Sequence, residues 1–269
     1  MIYTVGVNSL FPMYESKTIQ DVIDYCSSKK KIGVDIETTR KYAKNKYRED
    51  VYKPGLDPYV TRIIMLQIGD EEVQFIIDVR KTDLTPLKEI LESDKILKVG
   101  HNLKFESKFL FLHYGIYLRN LHDTMITEKV LYNGLDLSFS LESLMKRYLG
   151  YKSADSIDLF NVVPERSSYN EDSVEWLDFK ETVFVDKSIR LQFIEWGDKE
   201  FTDSQIQYGA EDIISPLKIM ELQKQNEFYP KIGIELENRF VPFLAKVELR
   251  GIKVDIEAWK SLYEENKKT

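Results

Sequence analysis

"KKIGVDIETT", residues 30–39, starts as an apolar strand and ends among acids. Side chains of a strand alternate faces with a period of two. Asp35 and Glu37 therefore point one way, and Val34 and Ile36 the other. Two carboxylates side by side repel and each loses hydration, which is costly unless a positive charge sits between them. A divalent metal ion meets that requirement, and the chain must supply its remaining ligands from elsewhere.

Upstream of this stretch, residues 18–28 read as an amphipathic helix leading into a first strand at 31–37. Downstream, VTRIIMLQIG (60–69) and EVQFIID (72–78) read as strands separated by the turn-like Asp70 and Glu71, which predicts a hairpin. A helix over about 84–93 is expected next, then a short strand, KILKVG (95–100), and a helix opening near Asn102. Helical stretches follow around 123–132 and 139–149, the second capped by Ser138 or Ser140. Residues 203–226 read as a long helix and 234–250 as another, with Leu236, Phe240, Leu244 and Val247 at helical spacing and Gly251 ending it. Antiparallel strands followed by alternating helix and strand predict an α/β fold, a mixed β-sheet flanked by helices, with a C-terminal helical extension. The extension has an apolar face and little domain left to cover it, so it reads as built to pack on further sequence.

A chain of 269 residues makes one large domain, or one domain plus an appendage. The start, MIYTVGVNSLFPMYES, has no charged segment leading into a long apolar one, and no later run approaches 18 apolar residues. The expectation is an intracellular, cytoplasmic protein without a membrane partner. Cys26 is the only cysteine, which excludes an intramolecular disulfide and a thiolate cluster. That leaves room for a hard, oxygen-liganded ion such as magnesium. The formal charge of -7 speaks weakly against a general nucleic-acid binder, yet it is unevenly spread. Residues 155–186 hold nine acids against Arg166 and Lys180, whereas residues 40–54, RKYAKNKYREDVYKP, hold six bases against Glu49 and Asp50.

Two further acids stand in suggestive places. Glu106, in VGHNLKFESKFL (99–110), lies one turn into a helix that leaves a short buried strand. Tyr208 and Asp212, in QYGAEDI (207–213), are four apart and share one helical face. Alone, each has an ordinary reading as a solvated helix residue or a surface pair. Together they form a pattern: the sequence resembles the DEDD 3′-to-5′ exonucleases, in the subgroup with a tyrosine in the third motif. Asp35 and Glu37 in VDIETT, Asn102 and Glu106 in GHNLKFESKFL, and Tyr208 with Asp212 in YGAED carry that resemblance, which covers about residues 18–225. Within the family the likeness is to the proofreading domain of family A DNA polymerases. LENRFVPFLAKVELRGIKVD (236–255) looks like the junction where such a polymerase leaves its exonuclease and begins its thumb.

The resemblance implies a ribonuclease H-like exonuclease domain over residues 1–225 and a thumb-like helical segment over 226–269. It implies two divalent ions, Mg2+ or Mn2+, held by Asp35, Glu37, Glu106 and Asp212, with Tyr208 orienting the attacking water. The partners implied are a single-stranded or frayed DNA 3′ end and a polymerase domain of the same or a partner chain. Thr38, Leu56, His101, Asn102, Lys104 and Phe105 are the expected nucleic-acid contacts, Asn102 at the terminal nucleotide and Phe105 or Leu56 stacking against or wedging between bases. Glu106 departs from the family pattern, which has Asp there; the extra methylene adds about 1.5 Å of reach. Residues 40–54 and 154–186 are insertions relative to the family, the basic one expected to grip the incoming strand's phosphates. An exoribonuclease of the same superfamily, or a weakly catalytic module that braces a polymerase or binds single strands, are the alternatives.

Overall fold

A computed structural model describes residues 1–7, 14–39, 56–150, 189–194 and 197–267. Both insertions, 40–54 and 154–186, lie outside the described residues. Strand β3 (Lys31–Thr39) is an interior strand of the sheet, and the elements around it follow in the order β1 (Ile2–Val5), β2 (Glu15–Ser16), α1 (Ile19–Ser27), β3, β4 (Arg62–Gly69) and β5 (Gln74–Asp78). A turn of 3-10 helix (Thr85–Leu87) runs into α2 (Lys88–Leu91), followed by β6 (Leu97–Gly100), α3 (Lys104–Tyr114), β7 (Leu121–Asp123) and α4 (Thr124–Leu131). After α5 (Leu141–Leu144) and a π-helical turn (Met145–Leu149) come α6 (Ile189–Ile194), α7 (Asp203–Gln223), α8 (Lys231–Arg250) and α9 (Ile256–Asn266).

The described strands make one seven-stranded mixed sheet in the order β2-β1-β5-β4-β3-β6-β7. The expected hairpin is β4–β5, antiparallel, with Asp70 shaping the turn: its Oδ1 accepts the Glu72 and Val73 N–H groups at 2.9 Å. β4 also pairs antiparallel with β3, whereas β3 pairs parallel with β6, and β6 with β7. One face of the sheet carries Ile32, Val34, Ile36, Leu66 and Ile68 into the main core, with Val22, Leu103, Phe109 and Leu110 from α1 and α3. The other face, with Ile64, Met65, Ile76 and Val99, is covered by α7 through Ile206, Tyr208, Ala210, Ile213 and Leu217. A mixed sheet with helices on both faces is the architecture expected from the order of elements.

Several elements differ from the sequence reading. β1 and β2 form one edge of the sheet, a pairing with β5 that a four-residue strand does not announce by itself. The helix expected around 123–132 is α4, capped by Asp123, and just before it Leu121, His122 and Asp123 form β7, a strand the sequence reading did not include, completing the parallel ladder with Lys98, Val99 and Gly100. The cap of the next helix is Ser140, whose Oγ accepts the Ser143 N–H, and Ser138 supports it through the Ser143 hydroxyl. α8 is two-faced: Ile234, Asn238, Val241, Pro242 and Ala245 are buried against α3, α4 and β7. Its other stripe, Ile232, Leu236, Phe240, Phe243 and Val247, is exposed. α9, capped by Asp255 through Glu257 and Ala258, buries no residue.

Candidate active site

The acids are brought together by how closely α7 lies on β3. Gly33 faces α7 on the same side of the strand as Asp35 and Glu37, and a Cβ there would sit 2.1 Å from Ile213 Cγ2. Gly209 allows the same approach from the helix, since its Cβ would meet Gln67 Cγ at 2.9 Å. Gln67 is the register partner of Asp35, and Met65 that of Glu37, so the helix rests directly over the acidic pair. The β-bulge of β3 falls between Glu37 and Thr38, after the pair, and leaves their common orientation intact. α7 starts at a capping box in which Thr202 Oγ1 accepts the Gln205 N–H and Gln205 Oε1 accepts the Thr202 N–H. Two turns further in, Asp212 presents its carboxylate to the strand: oxygens of Asp35, Glu37 and Asp212 all lie within 4.8 Å of one another.

Glu106 comes from the opposite side, on α3, and is 2% exposed. Burial, and after it the charges of Asp35 and Asp123, hold its carboxyl well above the usual carboxylate range. Its Oε2 is buried without a hydrogen-bond partner. Tyr208, one helical turn before Asp212, is 7% exposed, its ring 6.2 Å from that of Phe193.

The backbone entering α3 is set by a residue that the sequence reading passed over. Asp123 is fully buried, and its carboxylate accepts the backbone N–H groups of Asn102 (3.0 Å), Leu103 (2.7 Å), Met125 (2.9 Å) and Ile126 (3.2 Å). Burial raises its pKa while these bonds oppose the rise. Asn102 is thereby held at a φ of 64°, a left-handed conformation that Asn tolerates better than most side chains. Half of the carboxylate's bonds cap α4, and the other half reach across to α3. Gln67 was missed too: it is buried beside Asp35, and its Oε1 has no partner.

The expected nucleic-acid contacts are scattered around this centre. Thr38 is buried on β3 just past the bulge. His101 is half-buried with Nδ1 3.0 Å from Thr124 Oγ1. Phe105 is half-buried against the main core, its ring 4.6 Å from that of Phe109. Lys104 is turned to α8, with Nζ 2.7 Å from Glu248 Oε1. Leu56 is exposed, at the edge of the described residues.

Three converging carboxylates, a fourth with an orphaned buried oxygen, and no nitrogen or sulfur donor among them fit a hard divalent cation. Residues 11–159 match the family model described as 3′-5′ exonuclease. DNA polymerase I of Aquifex aeolicus is 30% identical over 217 residues, covering 73% of this chain and 31% of that protein. DNA polymerase I of Rhizobium leguminosarum is 26% identical over 175 residues, 64% of this chain and 14% of that protein. The chain thus spans a third or less of the length of these relatives. In fold it is similar to Brucella melitensis NrnC with bound Mg2+ (TM-score 0.62, 15% identity, 93% of this chain and 94% of that one). It is similar also to Trypanosoma brucei RNase D in complex with RNA U12 (TM-score 0.61, 14% identity, 91% and 71%).

Proposed function

We propose that this chain, which belongs to the 3′-5′ exonuclease family of A-type DNA polymerases, removes nucleotides from DNA 3′ ends as the proofreading part of such a polymerase. The observation that carries the reading is the convergence of Asp35, Glu37 and Asp212 within 4.8 Å, with the buried Glu106 beside them holding one oxygen, Oε2, without a hydrogen-bond partner. DNA is favoured over RNA because the sequence identity is to DNA polymerases I, whereas the likeness to ribonucleases is one of fold.

In this reading Asp35, Glu37 and Asp212 would hold one divalent ion, and Asp35 with Glu106 a second. Bound there, two divalent ions supply charge stabilisation to the entering and leaving oxygens of an in-line displacement at phosphorus. The chain's own groups do the rest. The Tyr208 phenol, neutral near pH 7, accepts or donates one hydrogen bond to the attacking water and fixes its direction. Asn102, in its left-handed turn, presents its amide to the last nucleotide, with Phe105 and Leu56 as apolar surfaces for the terminal bases and Thr38 and His101 nearby. The exposed stripe of α8 and the apolar side of α9 would pack on the polymerase portion, in the cytoplasm at replicating DNA.

The test is cleavage of a 5′-labelled single-stranded DNA and its RNA counterpart in magnesium, manganese or chelator, beside Asp35→Ala and Asp212→Ala. A ladder receding from the DNA 3′ end, absent with chelator and in both variants, is expected. A ladder on RNA alone replaces the proofreading reading with the exoribonuclease one. No ladder with either metal leaves a bracing module.

A further inference from the structure

α8 holds the rim of the active site at three points. Asn238, 2% exposed, accepts the Asp123 backbone N–H through Oδ1 at 2.6 Å and donates through Nδ2 to the Ile234 carbonyl at 2.8 Å. Near the C-terminal end of the helix, Glu248 pairs with Lys104 at 2.7 Å and Lys108 at 3.3 Å, both on α3. The Tyr59 hydroxyl, from the segment that leads into β4, donates to the Leu249 carbonyl. Of these, the Asn238 bond is the buried one, and its partner is the residue whose carboxylate fixes Asn102 and Leu103. Leu103, which opens α3, has no side-chain cap of its own, so the start of that helix depends on Asp123.

Granted the nuclease activity proposed above, on which this inference rests, we propose that Asn238 is a positioning residue for the divalent ion at Glu106. It acts through the backbone of Asp123, then the N–H groups of Asn102 and Leu103, then the first turn of α3, where Glu106 sits three residues past Leu103. The amide is suited to this because it can accept from Asp123 and donate to its own helix at once. An apolar side chain of the same size leaves the Asp123 N–H buried and unpaired, and a buried donor does not stay where it has no acceptor. Magnesium tolerates little error in ligand position, so a shift at the head of α3 is read out as weaker ion binding.

The test compares wild type with Asn238→Leu and with Asn238→Asp, whose carboxyl, kept protonated by burial, still accepts from the Asp123 N–H and donates to the Ile234 carbonyl. In the metal-free protein, amide hydrogen exchange at Asn102 and Leu103 is expected to accelerate about tenfold or more in the leucine variant, with Ile76 in the central sheet unchanged. In the nuclease assay and by calorimetry, its magnesium midpoint is expected to rise about tenfold to a hundredfold. Asn238→Asp is expected to stay near wild type in both readouts. Leu84→Ala, a core cavity elsewhere, controls for lost stability and is expected to leave the midpoint in place. If the leucine variant does not fold, Asn238→Ser, which loses the reach to Asp123 with little change in bulk, carries the same expectation. A folded variant with wild-type exchange and midpoint, or a Leu84→Ala midpoint shifted as far, overturns the positioning role alone. A wild type that binds no divalent ion overturns the nuclease reading and this role with it.

Discussion

Glu106 is the residue at which stability and activity pull apart. Its Oε2 is buried and unpartnered, and ionising it beside Asp35 costs free energy that only a cation returns. Glu106→Gln removes the charge and nearly keeps the shape. Without metal at pH 7.5 it is expected to stabilise the protein by about 1–2 kcal/mol, and with magnesium to lower the cleavage rate about a hundredfold. Chemical denaturation in chelator and the oligonucleotide assay check the two halves; a metal-free variant less stable than wild type contradicts the account. The pairing of Asp35 and Glu37 was legible from the period of a strand, whereas Glu106, Tyr208 and Asp212 stood out only through the family resemblance. Asp123 and Gln67 were legible by neither route. Their roles come from backbone N–H groups and burial that only the packed fold creates, and one Asp before a helix reads as a cap.

At the scale of elements, the site exists because α7 and β3 touch through glycine. Gly33→Ala would place its Cβ 2.1 Å from Ile213 Cγ2 and 3.0 Å from the Ile213 carbonyl. The helix must move off the strand, at a cost of about 1–3 kcal/mol, and Asp212 moves with it. Divalent-ion affinity is therefore expected to fall together with stability. Ile213→Ala in the same chain removes the clashing methyl and should restore ion affinity more than stability, because it leaves a cavity. Calorimetric titration of the two variants and wild type decides this; a double variant binding no better than Gly33→Ala contradicts it. The central strands and long helices were readable from their periodicity, and the hairpin from its polar turn. β1, β2 and β7 were not, since strands of two to four residues carry too little pattern and owe their existence to the neighbours they pair with. α9 lies within the helical segment expected over 226–269, and its apolar residues pack on nothing in the described structure.

At the scale of the whole molecule, His122 ties stability to pH. Burial, and after it the positive charge of Lys224, lowers its pKa to about 4, from an ordinary value of 6.5. The folded state keeps it neutral and the unfolded chain protonates it, so its contribution is intact above pH 6.5 and is lost progressively as pH falls toward 4. Between pH 7.5 and 5 that loss is about 2 kcal/mol. His122→Gln, which does not titrate, is expected to flatten the stability profile by that amount, and parallel wild-type and variant profiles contradict the assignment. The other whole-molecule property is the apolar surface of the C-terminal helices. Phe240 and Phe243 stand 5.4 Å apart on α8, both exposed, and Trp259, Leu262 and Tyr263 are exposed on α9. Contiguous apolar patches of this kind mark surfaces that a partner covers, and an environment-sensitive dye such as ANS binds them when the partner is absent. Phe240→Ser with Phe243→Ser is expected to lower dye fluorescence severalfold while shifting stability by no more than about 0.5 kcal/mol, as substitutions at exposed positions do. Cleavage of a short oligonucleotide is expected to be unchanged, because both rings lie on the stripe of α8 turned away from Asn238 and the site it braces. Unchanged fluorescence would mean that the stripe is not the surface the dye sees.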